Sequence, residues 1–240
     1  MTDEPSFLAI DRLDCRLVSH DWAFAREAAE PIARHWAARC AVNPTLYDGP
    51  VLLACRVAVE TEAGSSALKL DAFETRFSHF LAWRDFGWPD ATVHNCFAMP
   101  AVRSSDGAYL LGEMGPGHSA AGQRYFPAGT PDLDDVLPGG VVDLSGSLWR
   151  ELAEETGLPA AEGVAAEGWT VIFDRQRVAC IKRIDWPEPA EALRARVRAH
   201  LAAEAAPELC DAHLLAPGRH DDPRLPTFMS AFLARAAETG

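Results

Sequence analysis

Hydrophobic positions recur along the chain with two periods, which predict a mixture of strands and helices. Alternating apolar residues bounded by turn signals predict three strand pairs, at 51–61 and 67–77, 91–102 and 108–114, and 169–173 and 178–184. Apolar residues three or four positions apart predict helices at 20–40, 79–86, 147–156, 190–205 and 227–238. Strands and helices alternate along the chain, so the pattern predicts an α/β fold.

One long segment, 115–147, breaks this alternation because it is rich in Gly, Pro and Asp. A loop of that length inside a compact domain is usually functional or disordered. It leads directly into the predicted helix 147–156, which Gly157 and Pro159 terminate. We therefore expect functional residues where this loop meets the helix.

Composition and charge narrow the classes of partner. The 240 residues carry a formal net charge of −13, with 35 acidic against 22 basic residues. Such a surface repels a polyanion, so we expect no nucleic-acid polymer as partner. No run of about eighteen apolar residues occurs, which argues against a membrane span. Six scattered cysteines without a Cys-x-x-Cys pair favour free thiols, and we expect a cytoplasmic protein.

The predicted helix 147–156 carries three clustered acids. Glu151, Glu154 and Glu155 are spaced to share one face, whereas Leu148 and Leu152 point towards a core. Carboxylates so close repel one another unless a cation joins them, and oxygen ligands of this kind suit Mg²⁺ or Mn²⁺. A solvated acidic helix face is the alternative interpretation. The Gly-rich loop before the helix favours the metal site, because such a loop brings bare backbone close to a ligand.

The run Arg-Glu-Leu-Ala-Glu-Glu-Thr-Gly-Leu at 150–158 resembles the second half of the Nudix hydrolase signature. That signature reads Gly, five residues, Glu, seven residues, then Arg-Glu-apolar-x-Glu-Glu-x-Gly-apolar. The first half departs from the pattern. Counting back from Arg150 puts the signature Glu on Val142, which cannot bind a metal.

Two alignments restore an acid to the loop. Anchoring on Gly129 makes Asp135 the signature acid, with seven extra residues before the helix. Anchoring on Pro-Gly-Gly at 138–140 shortens the loop and puts Asp143 nearest to the acid's place. We favour the first, because the segment 124–127 has the pattern of a strand entering the loop. Asp143 stays open as the loop carboxylate.

The resemblance implies roles residue by residue. The glutamates at 154 and 155 would bind divalent metal, and Glu151 would bind metal or act as general base. Arg150 would orient Glu151, and Gly129 would offer its carbonyl to the metal. The implied reaction is metal-assisted attack of water on a phosphorus of a nucleoside diphosphate linked to another group.

The implied fold is a Nudix-type α/β/α sandwich with a mixed sheet. We assign this domain to 94–240 and an N-terminal α/β extension to 1–93. The layout around 43–50 and the segment 143–146 is similar to the branch of the family that splits UDP-glucose and UDP-galactose into UMP and a sugar 1-phosphate. The alternatives are an ADP-ribose-type or other nucleotide pyrophosphatase, and a catalytically silent Nudix domain that senses a nucleotide or scaffolds a partner. The expected partner is a small-molecule nucleotide, and a homodimer stays open.

Further residues are candidates for substrate contact or late metal binding. The substrate candidates near the long loop are Glu113, His118, Arg124 and Tyr125. Glu204 and Glu208, after the predicted helix 190–205, are candidates for a late metal-binding carboxylate. The motif Trp-Arg-Asp-Phe at 83–86 is interpreted as packing plus an ion pair.

Overall fold

The computed structural model describes residues 4–216 and 218–238. In this part of the chain the helices are α1 Ala23–Glu27, α2 Ala29–Val42, α3 Phe77–Asp85, α4 Leu144–Thr156, α5 Ala190–Ala203 and α6 Thr227–Glu238. The strands are β1 Ser6–Ile10, β2 Arg12–Leu17, β3 Pro50–Glu62, β4 Ser65–Arg76, β5 Asn95–Arg103, β6 Tyr109–Met114, β7 Arg124–Tyr125, β8 Val136–Leu137, β9 Val141–Val142, β10 Val164–Ala165, β11 Trp169–Asp174, β12 Arg177–Asp185 and β13 Leu209–Leu215. The three predicted strand pairs and the predicted helices are confirmed.

A large mixed sheet forms the centre of the molecule. Its strand order is β1-β11-β12-β5-β6-β13, with β10 beside β12 and β7 beside β6. The β12–β5 pair is parallel and its other pairs are antiparallel. Strand β5 is buried on both faces, since Cys96 and Ala98 pack into one core and Phe97 and Met99 into another. A strand covered on both sides reads as an unbroken apolar run.

Helices cover the large sheet on both faces. Apolar residues of α4 and α5, such as Leu148 and Val197, pack with one face of the sheet. Phe228 and Phe232 of α6 pack against the opposite face. These layers confirm the predicted α/β/α sandwich with a mixed sheet.

A second sheet joins the N-terminal part to the rest. Its order is β3-β4-β2-β9-β8, so two short strands from the long loop complete a sheet that begins with N-terminal strands. In the opposite direction, β1 pairs antiparallel with β11 in the large sheet. The segment 1–93 thus contributes β1 to the large sheet, and the segment 94–240 contributes β8 and β9 to the second sheet. A domain boundary at residue 93 stays a prediction.

Some elements were not predicted by the apolar pattern. Strands β1, β2 and β13 are short, and each pairs with a strand distant in sequence. The long loop 115–147 contains β8, β9 and a 3-10 turn besides β7, which confirms the strand expected at 124–127, and α4 begins at Leu144, three residues before the predicted start. No helix of the described ranges is long and apolar enough to cross a membrane. All six cysteines are free thiols.

Candidate active site

Helix α4 is fixed at both ends by its own sequence. The Asp143 side chain accepts a hydrogen bond from the Gly146 N–H at 2.8 Å, which caps the first turn. Gly157 ends the helix in the left-handed region at φ 70°. Leu148 and Leu152 bury one side of α4 in the core. The acidic side therefore faces the loop that precedes the helix.

Arg150 joins three carboxylates at the base of this loop. Its guanidinium lies 3.0 Å from Asp135 Oδ1, 2.9 Å from Glu151 Oε1 and 3.2 Å from Glu154 Oε2. Asp135 is buried and also accepts a hydrogen bond from Ser147 Oγ at 3.1 Å. Of the two loop acids proposed from the sequence, Asp135 lies beside Arg150, whereas Asp143 is the helix cap.

Glu155 is the most buried of the three glutamates. It is 5% exposed, and its Oε1 accepts a hydrogen bond from the Ala128 N–H at 3.1 Å. Its Oε2 is buried with no hydrogen-bond partner among the described residues. Glu154, by contrast, is 60% exposed at the side chain. A buried carboxylate oxygen without a donor is costly, and a cation would compensate for it.

The same glutamates have strongly perturbed acidities. The pKa of Glu151 is raised to about 7, chiefly by burial; Arg150 lowers it, and the charges of Glu154 and Glu208 add to the rise. Burial also raises the pKa of Glu155 well above its usual range, with Glu208 and Glu151 adding to the effect. Carboxyls that resist ionisation in this way gain most from a bound cation.

The donor set thus fits a divalent cation in composition. No group of three or more His, Cys, Asp or Glu side chains in the described part of the chain is arranged so that it could hold a metal ion. The positive charge between Glu151 and Glu154 is the guanidinium of Arg150, which forms an ion pair with each of them. The unpartnered oxygen of Glu155 is the observation in favour of a metal, since Arg150 does not reach it.

Gly129 lies directly against Glu151, which leads to a prediction. A Cβ at position 129 would sit 2.5 Å from Glu151 Oε1, so a side chain there must displace the carboxylate. We expect Gly129→Ala to lower kcat/KM by about tenfold to a hundredfold, since small displacements of catalytic groups have effects of that size. Steady-state kinetics measure the change in kcat/KM, and the midpoint of urea unfolding measures any change in stability. Gly64→Ala, at an exposed turn with φ 85° and no atom within 4 Å, is the control for lost stability away from the site: it should lower the urea midpoint and leave kcat/KM unchanged. Unchanged kinetics in the Gly129 variant would show that the Glu151 position is not used.

A cavity of about 420 Å³ opens beside the acidic cluster. Gly129 and Glu208 line its acidic side. Glu208 lies in the segment before β13, and its Oε1 is 3.3 Å from His118 Nε2. Of the two late carboxylates considered from the sequence, Glu208 is at the cavity. Glu204 instead pairs with His200 at 3.2 Å.

The four predicted substrate residues divide into two groups. His118 and Tyr125 line the cavity. Glu113 and Arg124 do not, because Arg124 pairs with Glu113 at 2.8 Å and with Asp222 at 2.8 Å. This ion pair connects β6 to β7 across the sheet.

Among the polar residues of the cavity that sequence reasoning did not assign to the site are Arg84, Asn95 and Arg177. The ion pair expected within the motif at 83–86 is present, with Arg84 Nε 2.9 Å from Asp85 Oδ1. No local signal in the sequence identifies these residues, because they come from three separate elements.

No protein-family model and no curated protein matches the chain. Several solved structures are similar to part of it. They include a MutT protein from Methanosarcina mazei Go1, with 17% identity over 61% of this chain and 94% of that chain and a TM-score of 0.38. The Nudix hydrolase RenU from M. smegmatis has 18% identity over 61% of this chain and 84% of that chain, with a TM-score of 0.38. A Nudix hydrolase from Nitrosomonas europaea has 16% identity over 61% and 90%, with a TM-score of 0.40. At these values the likeness assigns no function, and the functional case rests on the site.

Proposed function

We propose that the protein is a Mg²⁺- or Mn²⁺-dependent hydrolase of the Nudix type that cleaves the diphosphate of a nucleoside diphosphate-linked compound. The observation that carries the proposal is Glu155, whose Oε2 is buried near the carboxylate of Glu151 and has no hydrogen-bond partner in the part of the chain that the structure describes. A helix face that served only solubility would expose its acids to water, as Glu154 does. The motif at 150–158 and the adjoining cavity support the same conclusion.

The chain's own residues have separable roles in this proposal. Glu154, Glu155 and the Gly129 carbonyl would hold the divalent cation. A bound cation neutralises the diphosphate and lowers the pKa of attacking water. Glu151 accepts the proton of that water, since a pKa near 7 suits a general base at neutral pH. Arg150 positions Glu151.

Asp135 supports this arrangement from below. It receives the Arg150 guanidinium while it is itself held by Ser147 and by the backbone N–H of Asp132 at 3.2 Å. Orientation by such supporting contacts is typical of catalytic sites that require a fixed geometry. The seven extra residues of the loop leave this contact intact.

The leading candidate substrate is a UDP-sugar, UDP-glucose or UDP-galactose, cleaved to UMP and a sugar 1-phosphate. The segment 43–50 that suggested this branch contacts the loop that carries His118. Asn43 Nδ2 donates a hydrogen bond to the Gly117 carbonyl at 2.5 Å, in the same loop as His118. ADP-ribose and other nucleotide diphosphates are the competing substrates.

A substrate panel tests the proposal. Full-length protein is incubated with UDP-glucose, UDP-galactose, ADP-ribose and nucleoside triphosphates, with Mg²⁺, with Mn²⁺ and with EDTA. Phosphorus NMR resolves the products. We expect metal-dependent release of UMP and sugar 1-phosphate. Turnover of ADP-ribose alone would reject the UDP-sugar. No turnover of any compound, with nucleotide binding retained, would contradict the enzyme and favour a sensor.

A further inference from the structure

Two polar residues enter the cavity side by side from the large sheet. Asn95 begins β5 and Arg177 begins β12, and the two are direct partners in the parallel ladder. Phe97 and Ala179, two residues further along each strand, pack into the core below α6. Because side chains alternate along a strand, Asn95 and Arg177 project from that same face, with their strands about 4.8 Å apart.

The side-chain oxygen of Asn95 is buried and has no hydrogen-bond partner among the described residues. The residue as a whole is 7% exposed. Buried amide groups are nearly always hydrogen-bonded, so an unpaired one at a cavity wall indicates a missing ligand or water. The Asn95 amide can donate as well as accept, because its N and O differ only by assignment.

Two guanidinium groups line the same cavity. Arg177 lies over the Trp88 ring at 5.2 Å and is 3.7 Å from Asp174 Oδ2, with no hydrogen bond to a side chain in the described ranges. Arg84, from α3, contacts Asp85 and lies 3.5 Å from Ser119 Oγ. Burial lowers the pKa of Arg177, and the charge of Arg84 adds to that effect. Both guanidinium groups are half-buried and each has one acidic neighbour, so their remaining N–H groups at the cavity can donate to an anion.

The first turn of α6 forms part of the cavity wall. Pro226, Thr227 and Phe228 line the cavity at the helix N-terminus. The positive end of a helix dipole favours negative charge there. The cavity lining therefore combines the carboxylate of Glu208 with three residues whose N–H groups can bind an anion: Arg84, Asn95 and Arg177.

We propose that Arg84, Arg177 and Asn95 form a subsite that binds phosphate or carboxylate oxygens of the substrate. It rests on the proposed function, which makes this cavity the substrate site. Arg84 belongs to the segment 1–93, so that segment contributes directly to substrate selection. The anion has two sources of the same chemistry: a phosphate of the nucleotide diphosphate, or an acidic group on the attached sugar.

Binding without metal tests the subsite apart from hydrolysis. Calorimetry in EDTA uses UMP, uridine, glucose 1-phosphate and glucuronic acid as probes. We expect at least one anionic probe to bind, and Arg84→Gln and Arg177→Gln each to weaken its Kd about tenfold or more. Arg39→Gln and Arg175→Gln are the matched controls. Arg39 shares Asp85 with Arg84, and Arg175 is exposed beside Arg177; neither lines the cavity.

Kinetics then identifies the source of the anion. UDP-glucuronate differs from UDP-glucose by one carboxylate. Loss of kcat/KM on UDP-glucuronate alone in the arginine variants assigns the subsite to an acidic sugar. An equal loss on both substrates assigns it to the diphosphate. Both results support the subsite, with the loss falling mainly on KM.

The outcomes of these experiments distinguish a wrong subsite from a wrong proposed function. Arginine-dependent binding without hydrolysis would keep the subsite and reject the enzyme. Hydrolysis with unchanged KM in both folded arginine variants would reject the subsite alone. Wild-type protein that binds no anionic probe in EDTA would also reject it. Arg84→Lys keeps the charge but loses the planar fork, so it tests the subsite should Arg84→Gln unfold; we expect Arg84→Lys to bind the anionic probe more weakly than wild type, and an unchanged Kd would contradict a role for the Arg84 guanidinium.

Discussion

Glu155→Gln is expected to lower hydrolysis about a thousandfold while it makes the metal-free protein more stable. The amide keeps the hydrogen bond from the Ala128 N–H but cannot supply a negative oxygen to a cation. A thousandfold loss corresponds to about 4 kcal/mol of barrier, the scale of a lost metal contact. Burial raises the pKa of this carboxyl well above its usual range, so its ionisation above neutral pH opposes folding, and the amide avoids that cost.

Two measurements on Glu155→Gln check the predicted loss of activity and the predicted gain of stability. The first is kcat/KM with saturating Mg²⁺ or Mn²⁺, and the second is urea unfolding at pH 8 in EDTA. Glu191→Gln, an exposed acid on α5, is the control and should change neither. An active Glu155→Gln protein would remove Glu155 from the metal site. An inactive protein that is also less stable would point to a structural role instead.

The second large effect is a pH dependence of stability that Glu151 imposes on the metal-free protein. Its folded pKa of about 7 lies above the ordinary value of 4.5, so the folded state binds more protons between these values. The free energy of unfolding contributed by Glu151 is therefore fully present below pH 4.5. It is lost as the pH rises through 7, by on the order of 3 kcal/mol.

A difference measurement isolates this contribution. Burial lowers the pKa of four histidines, which act in the opposite direction near the same pH: His79, His94, His118 and His213. The quantity to compare is the free energy of unfolding of wild type minus that of Glu151→Gln, in EDTA, from pH 4.5 to 8. We expect this difference to fall steadily across the range and to flatten when Mn²⁺ is added. A difference independent of pH in EDTA would contradict the raised pKa of Glu151.

The acidic helix shows how much of a site local sequence can define. The spacing of Glu151, Glu154 and Glu155, and the terminator Gly157, determine α4 and its two faces within one short segment. The interactions within this helix join residues at most four positions apart, so the sequence predicts them without knowledge of the fold. The same holds for the hairpins, whose turns join adjacent strands.

Local sequence does not decide which of the two loop acids meets Arg150. Asp135 and Asp143 both precede the helix and both carry a carboxylate, so spacing alone left them open. The fold buries Asp135 under Arg150 and places Asp143 at the cap. Whether an acid pairs or caps depends on the path of the loop between them, which β8 and β9 fix by pairing into the second sheet.

By itself, then, the sequence determined the α/β class, the helix with its three acids and the loop that leads into it. Only the tertiary structure decided which acid meets Arg150, that Glu208 and His118 close the cavity, and that Arg84, Asn95 and Arg177 face it together. The physical reason is range: helix periods and turns act between near neighbours. The cavity is built by a parallel β5–β12 pair and by α3, whose residues meet only after distant segments have packed.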